Sequence, residues 1–200
     1  MSQFNKVAIL IDGGFFIKRC KLLHSKTPEI GDLQSFLDDI LIKVQNTSPF
    51  GLKDILFRTF YYDCRPFGEI RIKPDGSRID FSQQRKFKTA TAFHNDLKLF
   101  PQLALRLGDL SFDGWKVDPK NSTILIPDFK QKTVDIKLGL DIAQMSRKGI
   151  IDKLVLVAGD SDFVTPMKFA RRKGILVYLY PMGQVNIKAA LKEHADFILT

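Results

Sequence analysis

The chain is predicted to be an α/β protein with a mostly parallel sheet covered by helices on both faces. Three observations predict it. Continuous apolar runs bounded by Gly, Pro or Asp recur at Val7–Ile11, Ile55–Tyr61, Leu154–Ala158 and Ile175–Tyr180, with a weaker one at Phe197–Leu199. Runs of this kind, apolar at successive rather than alternate positions, are strands buried on both faces. Helix-like segments lie between them, and strand alternating with helix marks a parallel sheet built from crossover connections. Finally, 200 residues with 44% hydrophobic content and 17 Phe are enough for one domain with a substantial core and argue against disorder.

In chain order, Val7–Ile11 forms the first strand and runs directly into Asp12, Gly13 and Gly14. Helices are expected at Phe15–Leu23 and Leu33–Val44, then the strand Ile55–Tyr61. The stretch EIRIKPDGSRIDF, residues 69–81, carries Pro-Asp-Gly-Ser between two short alternating runs, a pattern for a β-hairpin or extended loop. A helix over Gln83–Phe100 follows. From Leu105 to Lys132 the pieces LRLGDLSF, GWKV and TILI suggest further short strands or an edge ribbon. The remaining helices are expected at Val134–Arg147, Val164–Arg172 and Val185–Leu191. No repeat, low-complexity tract or interdomain linker interrupts the chain, so residues 1–200 are expected to form a single domain.

The N-terminal MSQFNKVAILID is too short in its apolar part for a signal peptide, and no run approaches the roughly 18 apolar residues of a bilayer span. A cytoplasmic protein is expected. Cys20 and Cys64 lack any metal-ligand or disulfide spacing and are expected to be reduced packing residues. Lys and Arg number 31 against 22 Asp and Glu, a formal charge of +9 that favours a polyanionic partner such as nucleic acid. A basic protein without such a partner has the same composition, so charge alone does not choose.

The acids are more informative. In an open parallel sheet, ligands bind outside the carboxyl ends of the strands. Asp12 and Asp160 fall at such ends, Asp162 follows where a helix should begin, and Asp135 opens the helix in KTVDIKLGLDIA. Singly, Asp162 reads as a helix N-cap and Asp135 as an acid favoured at a helix N-terminus. Jointly, the four can converge on one edge of the sheet. Converging carboxylates raise one another's pKa unless a cation neutralises them, and Mg²⁺ or Mn²⁺, which prefer oxygen ligands, would do so. Asp141 lies on the same predicted helix as Asp135 but roughly 120° around its axis and about 9 Å along it, which gives it a secondary or structural role.

VAILIDGGFF, QKTVDIKLGLDIA and LVLVAGDSDFVTPMKFARRKGILVYLY, in this order, resemble the NYN domain of LabA-like proteins, a branch of the PIN-like metal-dependent ribonucleases. FRTFYYDCRP and LRLGDL also look like family features. The resemblance implies a three-layer α/β/α domain whose acids bind Mg²⁺ or Mn²⁺ and activate water to cut RNA. It assigns the metal and catalytic roles to Asp12, Asp135, Asp160 and Asp162, with Ser161 and Thr165 in support. One departure is visible: many NYN domains carry Asn shortly after the first Asp, whereas this chain reads Asp12-Gly13-Gly14-Phe15.

Phosphate contacts are expected from Arg65 and Lys132, with Arg85, Lys86 and Lys88 and the pair Arg171 and Arg172 as further basic patches. Phe87, Tyr61 and Tyr62 are the aromatic side chains available for base stacking. Solvated helix faces explain many such charge runs equally well. His24, His94 and His194 show no motif spacing. The function expected is a metal-dependent endoribonuclease acting on RNA. A nucleic-acid-binding regulatory module of the same fold, or a phosphatase on small substrates, are the other readings.

Overall fold

The computed structural model describes residues 4–48 and 51–200, so the first three residues of the N-terminal segment lie outside it. A seven-stranded sheet runs through the molecule in the order β6-β5-β2-β1-β7-β8-β9. Its strands are β1 (Phe4–Asp12), β2 (Lys53–Cys64), β5 (Leu103–Asp118), β6 (Asn121–Lys132), β7 (Lys153–Val157), β8 (Leu176–Leu179) and β9 (Phe197–Ile198). All pairings are parallel except that of β5 with β6 at one edge. β1 is central because Val7–Ile11 is apolar throughout and wholly buried, which only a strand covered on both faces allows.

Side-chain alternation along the strands divides the core in two. Ile9, Ile11 and Tyr61 pack with α1 (Gly13–His24), α2 (Ile30–Asn46) and α3 (Arg85–Leu99), while Leu10, Tyr62 and Leu156 face α4 (Val134–Lys148), α5 (Val164–Arg172) and α6 (Ala189–Glu193). This is the three-layer α/β/α arrangement. The last helix is shorter and later than the expected Val185–Leu191, because the apolar signal there comes from a loop whose Ile187 packs on the core ahead of the helix.

The expected hairpin is present as β3 (Ile70–Ile72) and β4 (Arg78–Asp80). The region 105–132 is one long ribbon rather than several short strands. β5 pairs with β2 only over Leu103–Gly108 and with β6 from Asp109 to Asp118, so the ribbon extends beyond the carboxyl edge of the sheet. Ring contacts among Phe67, Phe81, Phe112, Phe129 and Trp115 bind hairpin to ribbon, and Trp115 Nε1 donates to the Ile72 carbonyl at 3.0 Å. Cys20 and Cys64 are buried free thiols, as expected. No helix among the described residues is long and apolar enough to cross a membrane.

Candidate functional site

β1 connects through α1 and α2 to β2 on one side, while β7 lies on its other side, so strand order reverses at β1. A crevice for ligands opens at such a point, outside the carboxyl ends of the strands. Asp12 is the last residue of β1, level with Tyr62 of β2; Ile11 pairs with Val157, the last residue of β7, and Asp160 stands three residues on. Asp135 enters from the first turn of α4. Three separate segments thus bring carboxylates to one edge.

The caps fall opposite to the simplest sequence expectation. Asp12 is the N-cap of α1, its Oδ1 accepting the Phe15 N–H at 3.1 Å, and Asp160 caps the short 3₁₀ turn Ser161–Phe163 by accepting the Asp162 N–H at 3.2 Å. Asp135 and Asp162 cap nothing; α4 starts from Thr133, whose backbone is left-handed at φ 70°. An acid that leaves a strand and enters a helix sits where four N–H groups lack intrahelical partners, so the end-of-strand acids took the caps.

Two glycines let the chain pass closely here. A Cβ on Gly13 would lie 2.6 Å from the Tyr62 carbonyl oxygen, and one on Gly159 would lie 2.6 Å from the Phe15 ring. Neither position accommodates a side chain without displacement.

Burial pushes the Asp12 carboxyl up to about 6; the Phe15 N–H opposes the shift, and the charges of Asp135 and Asp63 add to it. Asp135 is raised by desolvation first and then by Asp160 and Asp162. The acids therefore feel one another across three chain segments. Because the folded pKa of Asp12 exceeds its ordinary 3.8, its contribution to metal-free stability is fully present below about pH 4 and is lost as pH rises through about 6. Thermal melts in a chelator are expected to show the melting temperature falling over that window, and the fall should be smaller in Asp12→Asn, Asp135 keeping a contribution of the same sign. An unchanged pH profile in that variant would assign the dependence to other groups.

Asp63, the penultimate residue of β2, is a further acid at this edge. Its Oδ2 lies 2.9 Å from Nε2 of His94, which is 3% exposed on α3. The run FRTFYYD places it after an apolar strand, as VAILID places Asp12, so the same rule finds it. Asp141 is occupied elsewhere, accepting from the Tyr62 hydroxyl at 2.9 Å and from Arg106 Nε at 3.0 Å, in keeping with a structural role. Among the described residues no three His, Cys, Asp or Glu side chains are gathered closely enough to enclose a metal ion.

A family model of the NYN domain matches residues 57–200, from within β2 to the last residue. The chain belongs to the NYN domain family. The NYN fold is PIN-like, its members are usually nucleases, and they typically use divalent metals on nucleic acid. β1 and Asp12 precede the matched NYN span yet occupy the centre of its sheet. A crystal structure of a Vibrio parahaemolyticus protein of unknown function superposes with a TM-score of 0.55 at 16% identity, covering 100% of this chain and 94% of that one. A nicotinamidase from Staphylococcus aureus gives a TM-score of 0.35 at 11% identity, over 100% and 99%, too low to inform the comparison. No curated protein matches the chain.

The basic residues separate by edge. Arg65 follows β2, its Nε 3.8 Å from Asp109 Oδ1, and Lys132 ends β6 just before α4. Arg85, Lys86 and Lys88 are exposed on the first turn of α3, which precedes parallel β5 and so begins at the carboxyl edge. Arg171 and Arg172 close α5 at the opposite, amino edge, where Arg171 Nε donates to Asp196 Oδ1 at 2.9 Å and both line a cleft of about 540 Å³. The structure does not bring that pair to the acids. Nor are Tyr61 and Tyr62 available for stacking, since both are fully buried, and Phe87 is packed against Gly68. Ser161 and Thr165 stand beside Asp160 and in the first turn of α5.

Proposed function

We propose that the protein is a metal-dependent endoribonuclease, LabA-like within its family, and that residues 1–200 form one catalytic domain. The observation carrying this reading is the placement of Asp12 at the end of β1, Asp135 in the first turn of α4, and Asp160 and Asp162 just beyond β7, all at the switch point of a PIN-like sheet. The donors suit Mg²⁺ or Mn²⁺: all are hard oxygens, and a magnesium-type ion keeps several waters and needs only one or two carboxylates plus substrate phosphate. A preformed cage is therefore unnecessary. In this reading Asp12, Asp135, Asp160 and Asp162 would hold the ion, which supplies an acidified water and neutralises phosphate charge. Asp12 and Asp160 are held in place by their caps, and Ser161 and Thr165 support them. Arg65, Lys132, Arg85, Lys86 and Lys88 would follow the RNA backbone.

Single-stranded RNA should be cut in Mg²⁺ or Mn²⁺, leaving 5′-phosphate and 3′-hydroxyl ends, and EDTA should stop the reaction. Binding should weaken with salt at a log–log slope of about −0.7 per neutralised phosphate. Full cleavage by a metal-stripped sample would sink the mechanism. The net charge of +9 would serve RNA binding with little turnover equally well, and that is the second reading. Tight, salt-sensitive binding without cleavage in either metal would select it.

A further inference from the structure

Lys188 was not among the residues that the sequence singled out, yet its ammonium stands at the acidic edge. Nζ donates to Ser161 Oγ at 2.8 Å and lies 3.6 Å from Asp160 Oδ1. Among the described residues, this is the only ion pair made by Asp12, Asp135, Asp160 or Asp162. Stability does not account for it. Lys188 and Asp160 are 58% and 57% exposed, and a pair so open to water contributes about 0–1 kcal/mol.

The placement is nonetheless fixed by the segment that carries it. Between β8 and α6 the chain turns at Met182 and Gly183, both with positive φ, and Arg19 of α1 clamps the Met182 carbonyl through Nε at 3.0 Å and Nη2 at 2.7 Å. Gln184 Oε1 stands where a Cβ on Gly159 would come within 2.8 Å of it, so the segment passes directly over the residue before Asp160. Ile187 packs on the core and Leu191 is fully buried in it, which sets the base of Lys188 on either side. A long side chain is thus anchored at its root, while its tip is held only by solvent-exposed contacts to Ser161 and Asp160.

An edge rich in carboxylates repels a phosphodiester, so the site requires cations that face the substrate. We propose that Lys188 is a substrate-phosphate contact of this site, resting on Ser161 and Asp160 in the free protein and turning to a phosphodiester oxygen when nucleic acid enters. The inference rests on the nuclease reading and adds to it the residue that receives the anion. An ammonium is a compact charge with three donors on a flexible stem, well suited to exchanging a hydroxyl and a carboxylate for a phosphate. A divalent ion on the aspartates would reduce the hold of Asp160 on Lys188, so occupancy of the acids and release of the lysine would go together.

The test compares the parent protein with Lys188→Gln and Lys188→Arg, using a labelled single-stranded RNA in Ca²⁺ and a separate Mn²⁺ titration without RNA. Lys188→Gln is expected to bind the RNA about tenfold more weakly, with a salt slope shallower by about 0.7, while Lys188→Arg keeps most of the affinity. Mn²⁺ affinity should be unchanged or higher in Lys188→Gln, because a competing cation has gone. Equal RNA affinity and slope in Lys188→Gln, beside a parent that cuts RNA, would overturn the role of Lys188 alone. Loss of Mn²⁺ binding in that variant would also overturn it, since Lys188 would then act by arranging the acids. A parent that neither binds nor cuts RNA would overturn the nuclease reading and this contact together.

Discussion

Asp12→Asn is expected to lower RNA cleavage by on the order of 100-fold or more while leaving the metal-free fold at least as stable as the parent. The two effects separate because the proposed site gives Asp12 a second role beside its cap. Its Oδ1 caps α1 through the Phe15 N–H, and an Asn oxygen accepts that bond equally well. In the proposed site its charge would help to hold a divalent ion, and charge stabilisation by such an ion is worth several kcal/mol in the transition state, each 1.36 kcal/mol being about tenfold in rate. Neutralising a carboxyl whose burial already pushes it to about 6 removes a destabilising charge above that pH. Asp160→Asn should behave alike, since its Oδ1 caps the turn Ser161–Phe163. Asp135→Asn and Asp162→Asn, which cap nothing, should also lose most cleavage.

Asp141→Asn is the control. It weakens a charge-assisted bond from Arg106 to a carboxylate that also accepts from the Tyr62 hydroxyl, so cleavage should persist while the melting temperature drops by a few degrees. Single-turnover cleavage and melts in EDTA distinguish these outcomes. If Asp12→Asn and Asp160→Asn both cut at the parent rate, the acids are caps and nothing more.

The sheet was legible because burial on both faces leaves a strong imprint: Val7–Ile11 and Leu154–Ala158 have no polar position, and nothing else in a chain of this size demands that. The acids at the strand ends were legible for the same reason, since an abrupt carboxylate after such a run stands out. Which acid would cap was not legible. It depends on whether the backbone enters a helix at once, as at Gly13, or through an extra residue such as Thr133. Asp63 obeyed the rule that found Asp12 but lay within a run marked only as a family feature. His94, its buried partner, gave no signal, because the pairing spans two elements. Lys188 was illegible on similar grounds: a lone lysine in a loop acquires meaning only from the fold that lays the loop over Gly159. Tyr61 and Tyr62 show the converse error. Aromatic residues considered together with the basic patches suggested stacking, but strand alternation in a central β2 turns both into the core.

The largest effect on stability is expected far from the acids, at Lys153. This residue begins β7 at the amino edge and is 1% exposed, an unusual place for a lysine. It is tolerated because its ammonium reaches Asp54 Oδ1 at 2.7 Å and Ser48 Oγ at 2.8 Å, and stands 5.6 Å from the centre of the Tyr178 ring. Asp54 is equally buried and depends on the same group, with one further bond from Asn5 Nδ2 at 3.0 Å. Lys153→Met fills similar space but leaves the Asp54 charge uncompensated in the interior. Breaking one side of a buried pair costs about 3–5 kcal/mol, which at about 2–4 °C per kcal/mol lowers the melting temperature by roughly 10 °C. Combining it with Asp54→Asn removes the stranded charge while keeping an acceptor for Asn5, and should recover more than half of the loss. Thermal melts of the single and double variants measure the difference. A single variant within about 1 kcal/mol of the parent, or a double variant no better than the single, would show that Asp54 finds another partner and that the pair does not hold this edge together.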